Sequence, residues 1–158
     1  MMTFKLSQRS FQKLAGVHEG LQEVVKAAIG LTTVDFGVIY GVRSLDEQTR
    51  LYKAGRSQTM KSKHLVQEDG KSHAVDLMAY DSGEASWELN LYDEIADAMK
   101  EAAVRYDLPI RWGACWHIDD LRSFEGTAEE AMMEYVDLRR SQGRRPFIDG
   151  PHFELKFK

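Results

Sequence analysis

His64, Asp76 and His152 are the residues of this chain whose types combine most readily into a reaction centre. His64 ends the polar run SKH, Asp76 interrupts the apolar run AVDLMAY, and His152 stands in DGPHFEL near the end. A carboxylate inside an otherwise apolar strand needs a partner or a metal ion. Two imidazoles and one carboxylate form a common catalytic zinc set, which leaves a fourth position for water. One negative charge among the ligands leaves the site positive enough to acidify that water. Asp149 precedes His152 with only Gly150 and Pro151 between. A Gly-Pro turn can bring this carboxylate back beside the histidine, where it would serve as general base.

Other residues compete for these roles. His73 lies close before Asp76, but strand alternation turns it to the opposite face, towards a substrate rim or solvent. His18 follows a helical turn and reads as a cap or a core hydrogen-bonding group. Cys115 and His117, with Asp119 and Asp120, could mimic a second metal site; a lone buried cysteine more often packs as a small hydrophobe. Trp112 and Trp116 suit either a groove or the core. The pairs Arg139-Arg140 and Arg144-Arg145 could form a nucleic-acid patch or simply a solvated helix end, where cations oppose the dipole.

Composition bounds these readings. The chain has 158 residues, the size of one domain, so residues 1–158 are expected to form a single catalytic unit. Hydrophobic residues make up 43% and charged residues 29%, as in ordinary globular proteins. A net charge of −4 argues against general nucleic-acid affinity. One cysteine excludes an internal disulfide and any multi-thiolate metal site, so a bound metal must rely on imidazole and carboxylate. No apolar stretch resembles a secretory signal or a membrane span, so the expectation is a protein that is cytoplasmic as synthesised and does not insert into membranes.

The elements that must position these groups follow from periodicity. Ser7 can cap a helix whose apolar residues run from Phe11 through Leu14, Val17 and Leu21 to Ile29, with Gly30 at its end. Val34 to Tyr40 alternates as a strand, Asp46 to Ala54 reads as a short helix stopped at Gly55, and 56–73 reads as loop. Ala74 to Tyr80 is a strand. Ser86 can cap a helix with Trp87 and Leu91 on its apolar face, running to about Tyr106. Ile110 to Trp112 is a short strand, Thr127 to Glu130 a capping box opening a helix to about Ser141, and Phe153 to Phe157 a closing strand. Short strands with a terminal one among them favour an α+β fold: a small mixed or antiparallel sheet with packed helices.

Six segments in this order carry a resemblance: LAGVH at 14–18, YGVRS at 40–44 with Gln48, GRSQTMKSKH at 55–64, HAVDL at 73–77, IRWG at 110–113 with Trp116, and PHFEL at 151–155. Together they make the chain similar to the zinc D-Ala-D-Ala carboxypeptidase family, in its branch of phage L-alanyl-D-glutamate peptidase endolysins. The resemblance implies one zinc ion per chain on His64, Asp76 and His152, with Asp149 as base. It matches Arg43 to a group contacting substrate or the developing oxyanion, and Gln48 and Ser62 to lesser substrate-side positions. It implies hydrolysis of the L-Ala–D-Glu bond in peptidoglycan stem peptides by a monomer that reaches the wall through a holin. On that reading the arginine pairs could also be drawn to the anionic wall. A D,D-carboxypeptidase or dipeptidase of the same family is the enzymatic alternative, and a non-catalytic wall-binding or virion protein the other. Eleven residues separate His64 from Asp76, more than the family's usual pattern, as if a turn around Glu68-Asp69-Gly70 had been inserted at the rim. A long segment containing the Thr127 helix also stands between WGACW and His152.

Overall fold

In the computed structural model, residues 3–157 are described. The chain runs α1 (Gln8–Leu14), α2 (Glu19–Leu31), β1 (Asp35–Tyr40), α3 (Leu45–Lys53), β2 (Ala74–Asp81), β3 (Glu84–Ser86), α4 (Leu89–Arg105), β4 (Ile110–Trp112), α5 (Ala128–Ser141) and β5 (His152–Leu155). The strands form one antiparallel sheet in the order β1-β2-β5-β4, with β3 paired to the far end of β2. This is the expected α+β arrangement. Helix α4 lies against β2 and β4, with α2 and α5 packed on it, and α1 covers β1.

Alternation assigns the two faces of the sheet. Val75, Leu77, Phe153, Leu155, Ile110 and Trp112 point into one continuous apolar core with the helices. Asp76, His152, Glu154 and Arg111 are their neighbours in sequence and so project from the opposite face. The core side stabilises the sheet; the other side is left for chemistry.

Two local expectations are corrected. The long first helix is two helices. Gly16 takes φ +84°, a left-handed conformation that ends α1, and a side chain there would come within 2.8 Å of Val42. Val17 then bridges to Ser72, and His18 starts α2 as its cap, its Nδ1 accepting a hydrogen bond from the Gly20 amide at 3.0 Å. The helix expected from Ser86 instead begins at Leu89. Ser82 and Gly83, at φ 53° and 82°, make a tight turn of the kind that joins paired strands. Ser86 ends the strand β3 that follows. Trp87, expected on the buried helix face, is 67% exposed and stacks on Tyr92. The Tyr92 hydroxyl donates to the Ser86 carbonyl at 2.7 Å and accepts from the Ala79 amide at 3.1 Å, which pins the hairpin to α4. The Thr127–Glu130 capping box opens α5 as expected.

Candidate active site

Sheet register builds the centre of the site. Asp76 on β2 stands directly across from His152 on β5, which places their side chains side by side on the face away from the core. His152 Nδ1 lies 3.1 Å from Asp76 Oδ1. His64 arrives from the loop after α3. Its carbonyl accepts from the Arg43 amide at 2.9 Å, while the neighbouring Lys63 carbonyl accepts from the His73 amide at 2.8 Å. The Ser62 hydroxyl accepts from the His64 amide at 3.1 Å. So held, His64 Nε2 lies 3.2 Å from the same Asp76 oxygen.

The three donor atoms converge within 4.8 Å of one another. Each imidazole has already committed its other nitrogen. His64 Nδ1 faces the Gly41 carbonyl at 2.8 Å, and His152 Nε2 faces Glu154 Oε1 at 2.8 Å. With those nitrogens turned to outer partners, the inner nitrogen of each ring faces Asp76, an arrangement that suits a shared cation. Donor types, convergence and outer partners therefore all fit a metal ion.

Opposite charges tie the same groups together. Burial alone would raise the Asp76 carboxyl, but the two imidazoles against it prevail and hold it well below the usual carboxylate range. Burial opposes charge on His152, yet the hydrogen bonds it donates to Asp76 and Glu154 outweigh it and push its pKa up to about 10. Glu154 was not singled out by the sequence reading, although its place two residues after His152 puts it on the same strand face. It is buried at 8% exposure and paired across the sheet with Arg111.

Asp149 lies in the same cleft. Its amide donates to the Gly113 carbonyl at 2.8 Å, and the Gly113 amide donates to the His152 carbonyl at 2.9 Å. Any side chain at Gly113 would meet the Asp149 carbonyl at 2.2 Å. Trp112 Nε1 adds a hydrogen bond to the Gly150 carbonyl at 2.8 Å. The Trp-Gly pair thus templates the Asp-Gly-Pro-His turn, with Trp112 itself wholly in the core. Burial, then repulsion from Asp76, raises the Asp149 carboxyl above its ordinary value.

Arg43 reaches Asp76 at 3.9 Å and donates from Nη1 to Gln48 Oε1 at 2.8 Å. Gln48 has no exposed surface; its amide also donates to Ser57 and to the Thr59 carbonyl. It sits behind Arg43 as a brace for that side chain and the 57–59 loop, away from a substrate-side position. Ser62 lines the cleft and caps the turn that delivers His64.

The rival residues lie elsewhere. His73 pairs with Asp69 at 2.7 Å and contacts the rings of His18 and Phe157. The turn at Glu68-Asp69-Gly70 thus serves His73, and no residue from 65 to 75 lines the cleft. His117 pairs with Glu134 at 2.9 Å and stacks on Tyr135, while Cys115 is fully buried with its thiol pushed up to about 12 by burial. Trp116 lines the cleft, its ring 5.5 Å from that of His152. The cleft has a volume of about 950 Å³, and the segment before His152 contributes Tyr135, Arg139 and residues 144–147 to its lining, which the sequence reading did not anticipate.

Comparison with known proteins gives consistent results. A family model described as phage L-alanyl-D-glutamate peptidase matches residues 2–156. The L-alanyl-D-glutamate peptidase of Escherichia phage T5 is 28% identical over 158 residues, covering 98% of this chain and 99% of the relative. The crystal structure of the Serratia marcescens L-Ala D-Glu endopeptidase ChiX superposes with a TM-score of 0.71 at 31% identity, covering 98% of this chain and 92% of that one.

Proposed function

The chain belongs to the phage L-alanyl-D-glutamate peptidase family, and from that premise we propose that it is a zinc-dependent endolysin that hydrolyses the L-Ala–D-Glu amide of peptidoglycan stem peptides. The observation that carries the metal assignment is the convergence of His64 Nε2, Asp76 Oδ1 and His152 Nδ1, with both remaining imidazole nitrogens engaged by Gly41 and Glu154. These three residues hold one zinc ion per chain. When bound, zinc supplies the Lewis acidity that polarises the scissile carbonyl and lowers the pKa of water.

The remaining work falls to the chain's own groups. Asp149 takes the proton of the attacking water on its carboxylate and returns it to the departing D-glutamyl nitrogen. Its burial and its neighbour Asp76 both favour a carboxyl that holds this proton briefly. Arg43 offers guanidinium donors to the charge that develops on the carbonyl oxygen. Gln48 keeps that guanidinium in place, and Ser62 keeps His64 in place. Among the described residues no serine or cysteine is set up as a nucleophile, and Cys115 is buried with a raised pKa.

The protein acts as a monomer on the cell wall, without nucleic-acid partners. It is made in the cytoplasm and released to the wall through a holin. Among the described residues no helix is long and apolar enough to cross a membrane.

Incubation of the protein with purified sacculi, with and without a chelator, tests the reading. Chelator-sensitive clearing that exposes new N-terminal D-glutamate is expected. Release of free D-alanine would instead identify a D,D-carboxypeptidase or dipeptidase, and no cleavage by the metal-loaded protein would leave only a wall-binding role.

A further inference from the structure

The cleft is strongly basic in a protein whose net charge is −4. Arg139, Arg144 and Arg145 line it from the end of α5 and the segment beyond, and Arg56, Lys61 and Lys63 from the loop after α3. The carboxylates among the lining residues are largely spoken for. Asp76 and Glu154 serve His152, and Glu47 lies 3.7 Å from Arg43. Arg144 and Arg145 have no ion-pair or hydrogen-bond partner for their side chains among the described residues.

These two arginines stand on a segment tied back to the cleft wall. Gly143 at φ +68° turns the chain after α5, and the Arg144 amide then donates to the Arg139 carbonyl at 2.8 Å. The Tyr135 hydroxyl bonds both backbone groups of Phe147, at 3.1 Å and 3.3 Å. The Phe147 ring lies 6.2 Å from Trp116, which in turn lies against His152. Free guanidinium groups on a braced segment suit a fixed anionic ligand better than a solvated helix end does.

The proposed reaction supplies such a ligand on one side only. The alanyl half of the L-Ala–D-Glu amide carries no acidic side chain. The glutamyl half has two carboxyl groups, and linkage onward through one leaves the other free. We propose that Arg144 and Arg145 form a subsite for the free carboxylate of the departing D-glutamyl half. This rests on the reaction proposed above and specifies which half of the substrate the segment before Asp149 reads.

Calorimetric binding of γ-D-glutamyl-L-lysine and of its D-isoglutaminyl counterpart, in which a neutral carboxamide replaces that carboxylate, tests the subsite without turnover. The wild type is expected to bind the acid more tightly, with a gap that narrows as salt rises. Arg144→Gln and Arg145→Gln should each narrow the gap by about fivefold in Kd, the upper range for an exposed ion pair. Arg140→Gln, an equal loss of charge at an exposed position outside the cleft lining, should leave it unchanged. A gap that survives the double Arg144→Gln, Arg145→Gln substitution would overturn the proposal. So would a double variant that loses affinity for sacculi but not for the dipeptide, which would assign the arginines to an anionic wall polymer. Hydrolysis of L-Ala–D-Glu peptides is scored separately. Its failure alongside an intact acid preference would reject the proposed reaction and leave the subsite standing.

Discussion

Glu154 offers a direct test of how this chain prepares its metal ligands. Its carboxylate accepts a hydrogen bond from His152 Nε2 at 2.8 Å in a buried setting, which leaves Nδ1 to face the metal site. Glu154→Gln can still present an amide oxygen to that proton but loses the charge. The difference between a charged and a neutral hydrogen bond is about 1 kcal/mol, or about fivefold in metal affinity. Glu154→Ala leaves a buried N–H without an acceptor and releases the ring's tautomer and orientation. A cost of about 2 kcal/mol corresponds to roughly 30-fold, inside the range of about 10- to 100-fold typical of groups behind metal-bound histidines. Competition against a chromophoric zinc chelator would measure both variants, with thermal melts of each to report folding. The expected order is wild type, then Gln, then Ala. Wild-type zinc affinity in a folded Glu154→Ala protein would refute the reasoning, and a Gln variant as weak as Ala would show that hydrogen-bond acceptance is not what matters.

Three further outcomes follow from the geometry. Asp149→Asn should retain one zinc per chain while kcat falls by about 10²- to 10⁴-fold, and undiminished turnover in steady-state assays would remove Asp149 as base. Gln48→Ala should lower kcat/KM about tenfold or more through loss of the Arg43 brace, with zinc affinity unchanged because Gln48 touches no ligand; unaltered kcat/KM would reject the brace. Burial, with Glu129, Glu94 and Asp97 nearby, pushes the Asp93 carboxyl up to about 6 from 3.8. The folded state therefore holds this proton more tightly than the unfolded one. Asp93's contribution is most favourable below the unfolded pKa and is lost as pH rises through the folded value. Asp93→Asn should stabilise the protein by up to about 3 kcal/mol near pH 7 and progressively less towards pH 4, and parallel melting curves across that window would contradict the assignment.

The site was more legible in the sequence than the elements around it. Asp76 was conspicuous because a carboxylate among Val75, Leu77 and Met78 violates strand composition, and such a violation has to be compensated nearby. Its pairing with His152 depends on strand register, which no local pattern encodes. Glu154 was hidden for a different reason: a strand glutamate reads as solvent-facing until the strand beside it is known. The first helix misled because Leu14, Val17 and Leu21 keep helical spacing across a break, whose local signs were Gly16 and the capping character of His18. The β3 hairpin was missed because Ser82-Gly83 is a weaker turn signal than Asn-Gly, and the Ser86 cap pattern competed with it. The arginines after α5 were visible as a charge cluster, but their place in the cleft depends on the turn at Gly143 and the Tyr135–Phe147 clasp, both of them tertiary.

The Gly113–Asp149 contact has a consequence for how this enzyme can be altered. Reciprocal backbone hydrogen bonds join residue 113 to residues 149 and 152, so everything from 114 to 148 leaves the sheet and returns through a closed neck. That excursion keeps its own anchorage through Leu121, Ala128, Ala131 and Tyr135 in the core. Its ends are fixed whatever its length, and longer excursions carry only a slowly rising entropic cost. The segment is therefore a natural graft point: a replacement that preserves the neck and the apolar anchors can present a different wall to the substrate while the reacting atoms stay where they are.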